Sequence, residues 1–362
     1  MASLRPRPGI LEIEPYVGGK AEAEGAARVV KLSANESAIG PSPRAIEALR
    51  AAAATIHRYP DGGARTLRAA IGERFRLDPE RIVCGAGSDE LIQLLMRAYA
   101  GPGDEILYSA HGFLMYKLSA LGVGATPAAA PERELRADVD ALLERVSSRT
   151  RMVFLANPNN PTGSYLTPDE LARLHAGLPE DVLLVIDAAY AEYVRRNDYT
   201  SGLELVDRAD NVVMTRTFSK LFGLAALRLG WLYAPAAVVD VLHRVRGPFN
   251  VGTPAQVAGI AALEDLNHQD RSLAHNDLWL PWLAGQLGAL GLTVHPSIAN
   301  FLLVEFDRDG SRTAAAASAW LEDRGILARP MAAYGLPQCL RISVGLEAEN
   351  HAVVATLGEL MA

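Results

Sequence analysis

The sequence predicts an α/β protein in which helices cover both faces of a mostly parallel β-sheet, with a smaller α+β domain beside it. From about residue 43 to residue 233, short β-rich runs alternate with helical stretches, and this alternation is typical of parallel strands joined by helical crossovers. The runs MVFLA (152–156) and VLLVI (182–186) are apolar throughout. Such runs are expected of central strands that are buried on both faces.

The elements of the large domain follow from periodicity and capping signals. Apolar residues recur at helical spacing in five stretches, and the last of these opens with the capping box TPDE (167–170). Strands are predicted at residues 81–84, 105–109, 152–156, 182–186, 212–217 and 229–233, and helices at 43–54, 64–75, 89–99, 139–146 and 168–178.

The pattern changes after Pro248. A long helical region at 255–290 leads to three short β-rich runs, and the first 40 residues show little periodicity. We therefore predict a large domain of residues 42–247 and a discontinuous small domain of residues 1–41 and 248–362. The β-rich runs of the small domain are 292–295, 301–306 and 340–344.

Composition excludes several classes of protein. The 362 residues include 35 Lys+Arg and 42 Asp+Glu, a formal charge of −7, which argues against nucleic acid or an anionic membrane as the main partner. No apolar run reaches the roughly 18 residues of a membrane span, and MASLRPRPGI is not followed by the apolar core of a secretory signal. Two cysteines, Cys84 and Cys339, fit a reducing compartment. We expect a cytoplasmic enzyme.

Three predicted strand ends carry residues suited to a ligand, because ligands bind beyond the carboxyl ends of parallel strands. GAGSDE (85–90) is a glycine turn into a helix, suited to a phosphate, or simply a tight turn with Ser88 as the cap. NPNNPTG (157–163) either presents asparagine side chains to a ligand or forms a rigid surface turn. Asp187 follows a buried strand and needs a partner, either a structural arginine or a protonated heterocycle of a ligand.

The fourth strand end, TFSKLFG, contains Lys220, one of only four lysines in the chain. An amine forms a Schiff base, which a guanidinium does not, although a lone lysine also fits a phosphate ligand or a surface residue. Combined with hydroxyls, an arginine, a carboxylate and the glycine turn, Lys220 matches the needs of pyridoxal phosphate. The other members of this set are Thr217, Ser219, Arg228 and Asp187.

These motifs resemble those of fold-type I pyridoxal-phosphate-dependent aminotransferases, specifically the histidinol-phosphate aminotransferase family, nearly from end to end. The resemblance implies a mostly parallel seven-stranded sheet in a cofactor-binding large domain. It also implies transamination of histidinol phosphate with 2-oxoglutarate in histidine biosynthesis, by a homodimer with shared active sites. The motifs are EPYVGGK (14–20), KLSANES (31–37), GPSP (40–43), RYPD (58–61), GAGSDELI (85–92), HGFLMY (111–116), NPNNPTG (157–163), DAAYAEY (187–193), RTFSKLFGLAALRLGW (216–231), GPFNV (247–251) and LRISVG (340–345).

The resemblance also implies roles for single residues. Lys220, Asp187 and Tyr190 are the catalytic residues: the lysine bonds the cofactor, the aspartate pairs with its ring nitrogen, and the tyrosine contacts its phenolic oxygen. Asn160 also hydrogen-bonds the phenolic oxygen, and Phe113 stacks on the ring of the cofactor. The residues implied around the phosphate are Ser88, Asp89, Glu90, Thr217, Ser219 and Arg228, with Tyr59 reaching the phosphate of the partner subunit.

Substrate binding is implied for Tyr16, Asn35, Arg329 and Arg341, with Arg341 gripping a carboxylate by a bidentate pair. No metal site is predicted. Two departures from the family pattern concern the substrate: the chain reads NESA (35–38) where the family often reads NENP, and HGFLMY in place of P-T-[FY]-x-x-Y.

Three alternatives stay open at this point. The first is an aminotransferase for the aromatic amino acids Phe and Tyr, or one of dual specificity. The second is another class of enzyme on the same fold, such as a decarboxylase or a C–S lyase. The third is a non-catalytic binding protein, for which loss of Lys220, Asp187 or Arg341 would be expected.

Overall fold

The computed structural model describes residues 6–7, 9–16, 18–20, 22 and 28–362. The first five residues of MASLRPRPGI and Val17 of EPYVGGK lie outside the described residues. Within the described ranges, no helix has both the length and the apolar character needed to cross a membrane.

The strands of the described part of the chain include all nine that the sequence predicts, together with six others. They are β1 (Val30–Lys31), β2 (Ile82–Gly85), β3 (Glu105–Ser109), β4 (Thr126–Ala130), β5 (Glu132–Arg133), β6 (Arg136–Ala137), β7 (Thr150–Ala156), β8 (Leu183–Asp187), β9 (Val212–Thr217), β10 (Gly230–Tyr233), β11 (Thr293–His295), β12 (Phe301–Glu305), β13 (Ile326–Leu327), β14 (Arg329–Met331) and β15 (Leu336–Ser343).

The helices lie between these strands and after them. They are α1 (Pro43–Ala52), α2 (Arg65–Phe75), α3 (Ser88–Tyr99), α4 (Met115–Val123), α5 (Val139–Arg145), α6 (Pro168–Gly177), α7 (Leu203–Arg208), α8 (Ala236–Val245), α9 (Thr253–Glu264), α10 (Leu266–Ala289), α11 (Ala314–Glu322) and α12 (Glu347–Met361).

The large sheet has seven strands in the order β2-β10-β9-β8-β7-β3-β4. Only β10 runs antiparallel to its neighbours, and the other pairs are parallel. The side chains of β8 and of residues 152–156 in β7 are buried on both faces, as the uninterrupted apolar runs predict. The predicted fold class is therefore confirmed.

The fold contains elements that were not predicted, such as α4, α7, α8 and α12. The strand β4, TPAAA, was not predicted either, because proline and alanine have low strand propensity. This strand lies at the edge of the sheet, where a proline is tolerated. One helical region was predicted at 255–290, and this is wrong at Asp265, where α9 and α10 are separate helices. Asp265 has a non-helical backbone conformation, and its side chain accepts a hydrogen bond from the His268 N–H as the N-cap of α10.

The small sheet is antiparallel, in the order β11-β12-β15-β14, and an apolar core separates it from α10, α11 and α12. From the N-terminal part of the chain, β1 pairs in parallel with β13. Buried residues of α9 lie in the core of the large sheet. The predicted division into domains stays a prediction. Because α9 packs on the large sheet, we propose that the large domain continues to Glu264, where α9 ends.

Candidate active site

The strand ends singled out in the sequence line one cavity of about 240 Å³. It lies beyond the carboxyl ends of β7, β8 and β9, where the parallel strands end at one edge of the sheet, and β14 and β15 border it from the small sheet. Two of the predicted site residues, Tyr59 and Glu90, do not line it. Those that do are Tyr16, Asn35, Ser88, Asp89, Phe113, Asn160, Asp187, Tyr190, Thr217, Ser219, Lys220, Arg228, Arg329 and Arg341.

Lys220 is a half-buried amine in the loop after β9. Its Nζ donates a hydrogen bond to the Ala34 carbonyl at 3.0 Å and lies 5.6 Å from the ring centroid of Tyr190. Burial, reinforced by the positive charge of Arg341, lowers the pKa of the Lys220 amine to about 8. A substantial fraction of this amine is therefore neutral, and hence nucleophilic and basic, near physiological pH.

Asp187 is the last residue of β8 and is only 4 % exposed. The Tyr116 hydroxyl donates to Oδ2 at 2.8 Å and the Thr215 hydroxyl to Oδ1 at 3.2 Å. Burial raises the pKa of Asp187 to about 6 in spite of these hydrogen bonds. Hydroxyls, rather than a structural arginine, hold this carboxylate in the described part of the chain, so a ligand cation facing it would be favoured.

Asp187→Asn is expected to stabilise the cofactor-free protein at neutral pH. Because the folded-state pKa of Asp187 lies near 6, above its ordinary value of 3.8, the folded state binds a proton more tightly than the unfolded state. Stability therefore falls as pH rises through this window. The variant removes this dependence, and at pH 7 its free energy of unfolding should exceed the wild-type value by roughly 1–3 kcal/mol.

Urea unfolding of both cofactor-free proteins at pH 4 and pH 7 measures this difference. The gain should shrink towards the lower pH, where Asp187 is protonated in the folded wild-type protein. An equal difference at the two pH values would show that the charge of Asp187 is not its cause.

The start of α3 has features that suit an anion, and we call it the anion subsite. The cap residue Gly87 offers no side chain to the first N–H groups of this helix, and those groups have no intrahelical acceptor. Gly87 has φ +84°, and a Cβ there would lie 2.5 Å from Nη2 of Arg228, so glycine lets the guanidinium come close. Arg228 donates to Asp89 Oδ2 at 2.9 Å and to Ser219 Oγ at 3.4 Å. Because Arg228 neutralises the Asp89 carboxylate, this carboxylate would repel an anion less, and the backbone N–H of Asp89 could bind one.

Glu90 and Tyr59 lie apart from the cavity. The Glu90 carboxylate accepts hydrogen bonds from the Ala86 N–H at 2.6 Å and from Asn250 Nδ2 at 2.8 Å, which braces the glycine turn. The Glu90 side chain is therefore not available to a ligand, and only the backbone N–H of Glu90 could contribute to the anion subsite. Tyr59 is 82 % exposed and stacks on Phe249, with ring centroids 4.6 Å apart. Its implied contact with a partner subunit stays a prediction.

Two arginines border the cavity from the small sheet. Arg341 is buried, donates through Nη2 to the Ser33 carbonyl at 2.8 Å and through Nη1 to Asn160 Oδ1, and has a buried Nε without a hydrogen-bond partner among the described residues. Arg329 is its register partner across β14 and β15. The Tyr16 ring centroid lies 5.8 Å from the Arg329 guanidinium. These two cations favour an anionic group on the substrate.

Several residues around the cavity were not assigned from the sequence. Tyr116 ends the motif HGFLMY, and Thr215 lies two residues before Thr217 on the same face of β9, so strand periodicity could have indicated it. No local signal points to Tyr334, which lines the cavity, or to Ser343, which hydrogen-bonds Asn35.

Comparison with known proteins identifies the family of this chain. Residues 27–357 match the profile of the family described as aminotransferase class I and II. The histidinol-phosphate aminotransferase of Paramagnetospirillum magneticum is 60% identical over 361 residues, covering 100% of this chain and 99% of that protein. That of Rhodospirillum centenum is 63% identical over 359 residues, covering 99% of each.

A solved structure is similar along nearly the whole chain. The histidinol-phosphate aminotransferase of Sinorhizobium meliloti in complex with pyridoxal-5'-phosphate has a TM-score of 0.90 and 29% identity, covering 99% of this chain and 98% of that one. The predicted resemblance is confirmed: the chain belongs to the class I and II aminotransferases and, among them, to the histidinol-phosphate aminotransferase family.

Proposed function

We propose that this protein transfers an amino group between histidinol phosphate and 2-oxoglutarate in histidine biosynthesis, with pyridoxal phosphate as its cofactor. The observation that carries the proposal is one cavity that combines Lys220, with a pKa of about 8, and the buried carboxylate of Asp187 with an anion subsite. Full-length identity of 60% to a histidinol-phosphate aminotransferase supports the choice of substrate.

The donor set of the cavity fits the groups of pyridoxal phosphate. Lys220 would bond its aldehyde carbon, Asp187 would face its ring nitrogen, and the start of α3 with Arg228 would hold its phosphate. Tyr190 and Asn160 would contact the phenolic oxygen, with Phe113 against the ring face. When bound, this cofactor supplies an electron-withdrawing ring that stabilises negative charge on the substrate α-carbon.

Lys220 would act as the base and acid of the reaction. Once the amine of the substrate has displaced it from the cofactor, its free amine would take the proton from the substrate α-carbon and deliver it to the former aldehyde carbon of the cofactor, on the other side of the substrate nitrogen; a pKa near 8 suits both transfers at neutral pH. Asp187, held by Tyr116 and Thr215, would keep a proton on the ring nitrogen of the bound cofactor through its negative charge. The same two roles serve both halves of a ping-pong reaction.

Arg341 would orient the two substrates by their anionic groups. Histidinol phosphate has a phosphate and no carboxylate, whereas glutamate has carboxylates, so the guanidinium would serve a different anion in each half-reaction. The neighbouring Arg329 adds a second positive charge on β14. Bidentate pairing by guanidinium groups suits both kinds of anion.

Visible absorbance of the cofactor-loaded protein tests the proposed substrate. We expect L-histidinol phosphate to change the cofactor band at a concentration at least about tenfold lower than L-phenylalanine, because only the former presents a phosphate to the arginines. The reverse order would assign the chain to the aromatic aminotransferases. Release of carbon dioxide or pyruvate in place of amino transfer would indicate a different reaction class.

We also propose a homodimer in which Tyr59 serves the site of the partner. Tyr59, Ile56 and Phe249 are exposed large hydrophobic residues, and Tyr59 stacks on Phe249. Apolar side chains left on a surface favour an interface. A native mass equal to that of a single chain would contradict this.

A cytoplasmic location is part of the proposal. Cys84 and Cys339 are free and buried, which fits a reducing compartment. Recovery of the native protein from the extracellular or periplasmic fraction of its host would contradict it.

A further inference from the structure

A series of three buried side chains joins the small sheet to the cavity. Ser343 at the end of β15 donates through Oγ to Asn35 Oδ1 at 3.0 Å, and Asn35 Nδ2 donates to the Tyr190 hydroxyl oxygen at 2.9 Å. Their exposed fractions are 3%, 1% and 4%. The family resemblance implies substrate binding for Asn35, but both ends of its side-chain amide are hydrogen-bonded to these two neighbours.

The backbone of Asn35 is held as firmly as its side chain. Its φ is +54°, a left-handed conformation that asparagine adopts more readily than most residues. Its N–H donates to Ser343 Oγ at 2.9 Å, and its carbonyl accepts from Asn300 Nδ2 at 3.2 Å. The position of the amide group is therefore set from outside the cavity.

The hydrogen bonds of Ser343 also set the direction of the amide. Because Ser343 Oγ accepts the Asn35 N–H, its own proton is available for the nearest acceptor, Asn35 Oδ1. The oxygen end of the amide then faces Ser343, and the NH₂ end faces Tyr190. A phenol oxygen that accepts an N–H directs its own proton elsewhere, and Tyr190 lines the cavity.

We propose that Ser343 and Asn35 are positioning residues that direct the hydroxyl proton of Tyr190 into the cavity, towards the phenolic oxygen of the cofactor. This inference rests on the proposed function. Burial raises the pKa of Tyr190 to about 12, so its proton is present at neutral pH. A donor at the phenolic oxygen favours the ionised form of that oxygen. Without Ser343, the amide is free to turn its oxygen to Tyr190 and attract the proton away from the cavity.

The test is a pH titration of the visible absorbance of the cofactor-loaded protein without substrate. Ser343→Ala should raise the pKa of the absorbance transition by roughly 0.5–1 unit, and Tyr190→Phe should raise it at least as much. In the Tyr190→Phe background, Ser343→Ala should add no shift. Ser343→Thr, which keeps the hydroxyl, should restore the wild-type value.

Ser272→Ala is the matched control. Ser272 is a buried serine of α10 whose hydroxyl has no hydrogen-bond partner among the described residues. Its replacement should leave the titration unchanged. An unchanged pKa in Ser343→Ala, a shift of the same size in the control, or a shift that persists in the Tyr190→Phe background would each overturn the inference.

If Ser343→Ala does not fold, Asn35→Asp tests whether Asn35 directs the hydroxyl proton of Tyr190. The aspartate has the same shape but offers Tyr190 only an acceptor, so the pKa of the transition should rise more in the wild-type background than in Tyr190→Phe, where only its charge acts. Equal rises would overturn the inference. A wild-type protein without a cofactor band overturns the proposed function and this inference together, whereas a normal band with unchanged titrations overturns this inference alone.

Discussion

Lys220→Arg is expected to reduce amino transfer by at least about 10⁴-fold. Arginine keeps the positive charge at this position, but a guanidinium neither bonds an aldehyde nor gives up a proton at neutral pH. The wild-type amine does both, because burial lowers its pKa to about 8. Single-turnover measurement with histidinol phosphate detects the loss directly.

Lys117→Arg provides the control for this variant. Lys117 is an exposed lysine of α4 that does not line the cavity of Lys220, so amino transfer should remain within about twofold of wild type. Far-UV circular dichroism should show both variants folded. Turnover within tenfold of wild type in Lys220→Arg would mean that another group performs the proton transfer.

Asp187→Asn is expected to lower the rate of α-proton removal by on the order of 10³-fold while the cofactor still binds. The neutral amide retains the shape of the side chain but loses the negative charge that would keep the ring nitrogen protonated. Since the site is buried, that charge acts with little screening by water. Stopped-flow measurement with substrate deuterated at the α-carbon isolates the step.

The matched control is Asp138→Asn. Asp138 caps the start of α5, where its side chain accepts hydrogen bonds from the N–H groups of Asp140 and Ala141, and it does not line the cavity. Because asparagine caps a helix about as well as aspartate, this change should leave the rate of α-proton removal at the wild-type value. A wild-type rate and isotope effect in Asp187→Asn would remove the role assigned to this carboxylate, while the stability gain expected for the cofactor-free variant would be unaffected.

The strands that position the site were predictable because the signals are local. Uninterrupted apolar runs indicate β7 and β8, and the residue that follows such a run lies at the ligand-binding edge whatever else the fold contains. Because parallel strands end at one edge of the sheet, the ends of β8 and β9 place Asp187 and Lys220 close together. The strand β4 was not predicted because its proline and alanines have low strand propensity. Its extended conformation is stabilised by backbone hydrogen bonds to β3.

The partners of the site residues were less predictable. An arginine was one expected partner for Asp187, yet the hydroxyl of Tyr116, 71 positions earlier, holds it. Glu90 lies in the predicted phosphate motif, yet its carboxylate braces the turn through Asn250, 160 positions later. Which way a side chain turns depends on the groups that pack against it from distant parts of the chain, and no local pattern contains them.

The sequence by itself determined the fold class, the family and the residue types at the strand ends, because these follow from periodicity, turn chemistry and ordered motifs. The tertiary structure decided the electrostatics and the directions of the hydrogen bonds. Burial sets the pKa of Lys220 near 8 and that of Asp187 near 6, and Ser343 orients Asn35 from 308 positions away. Desolvation and hydrogen-bond direction arise only once distant segments have packed around the same group.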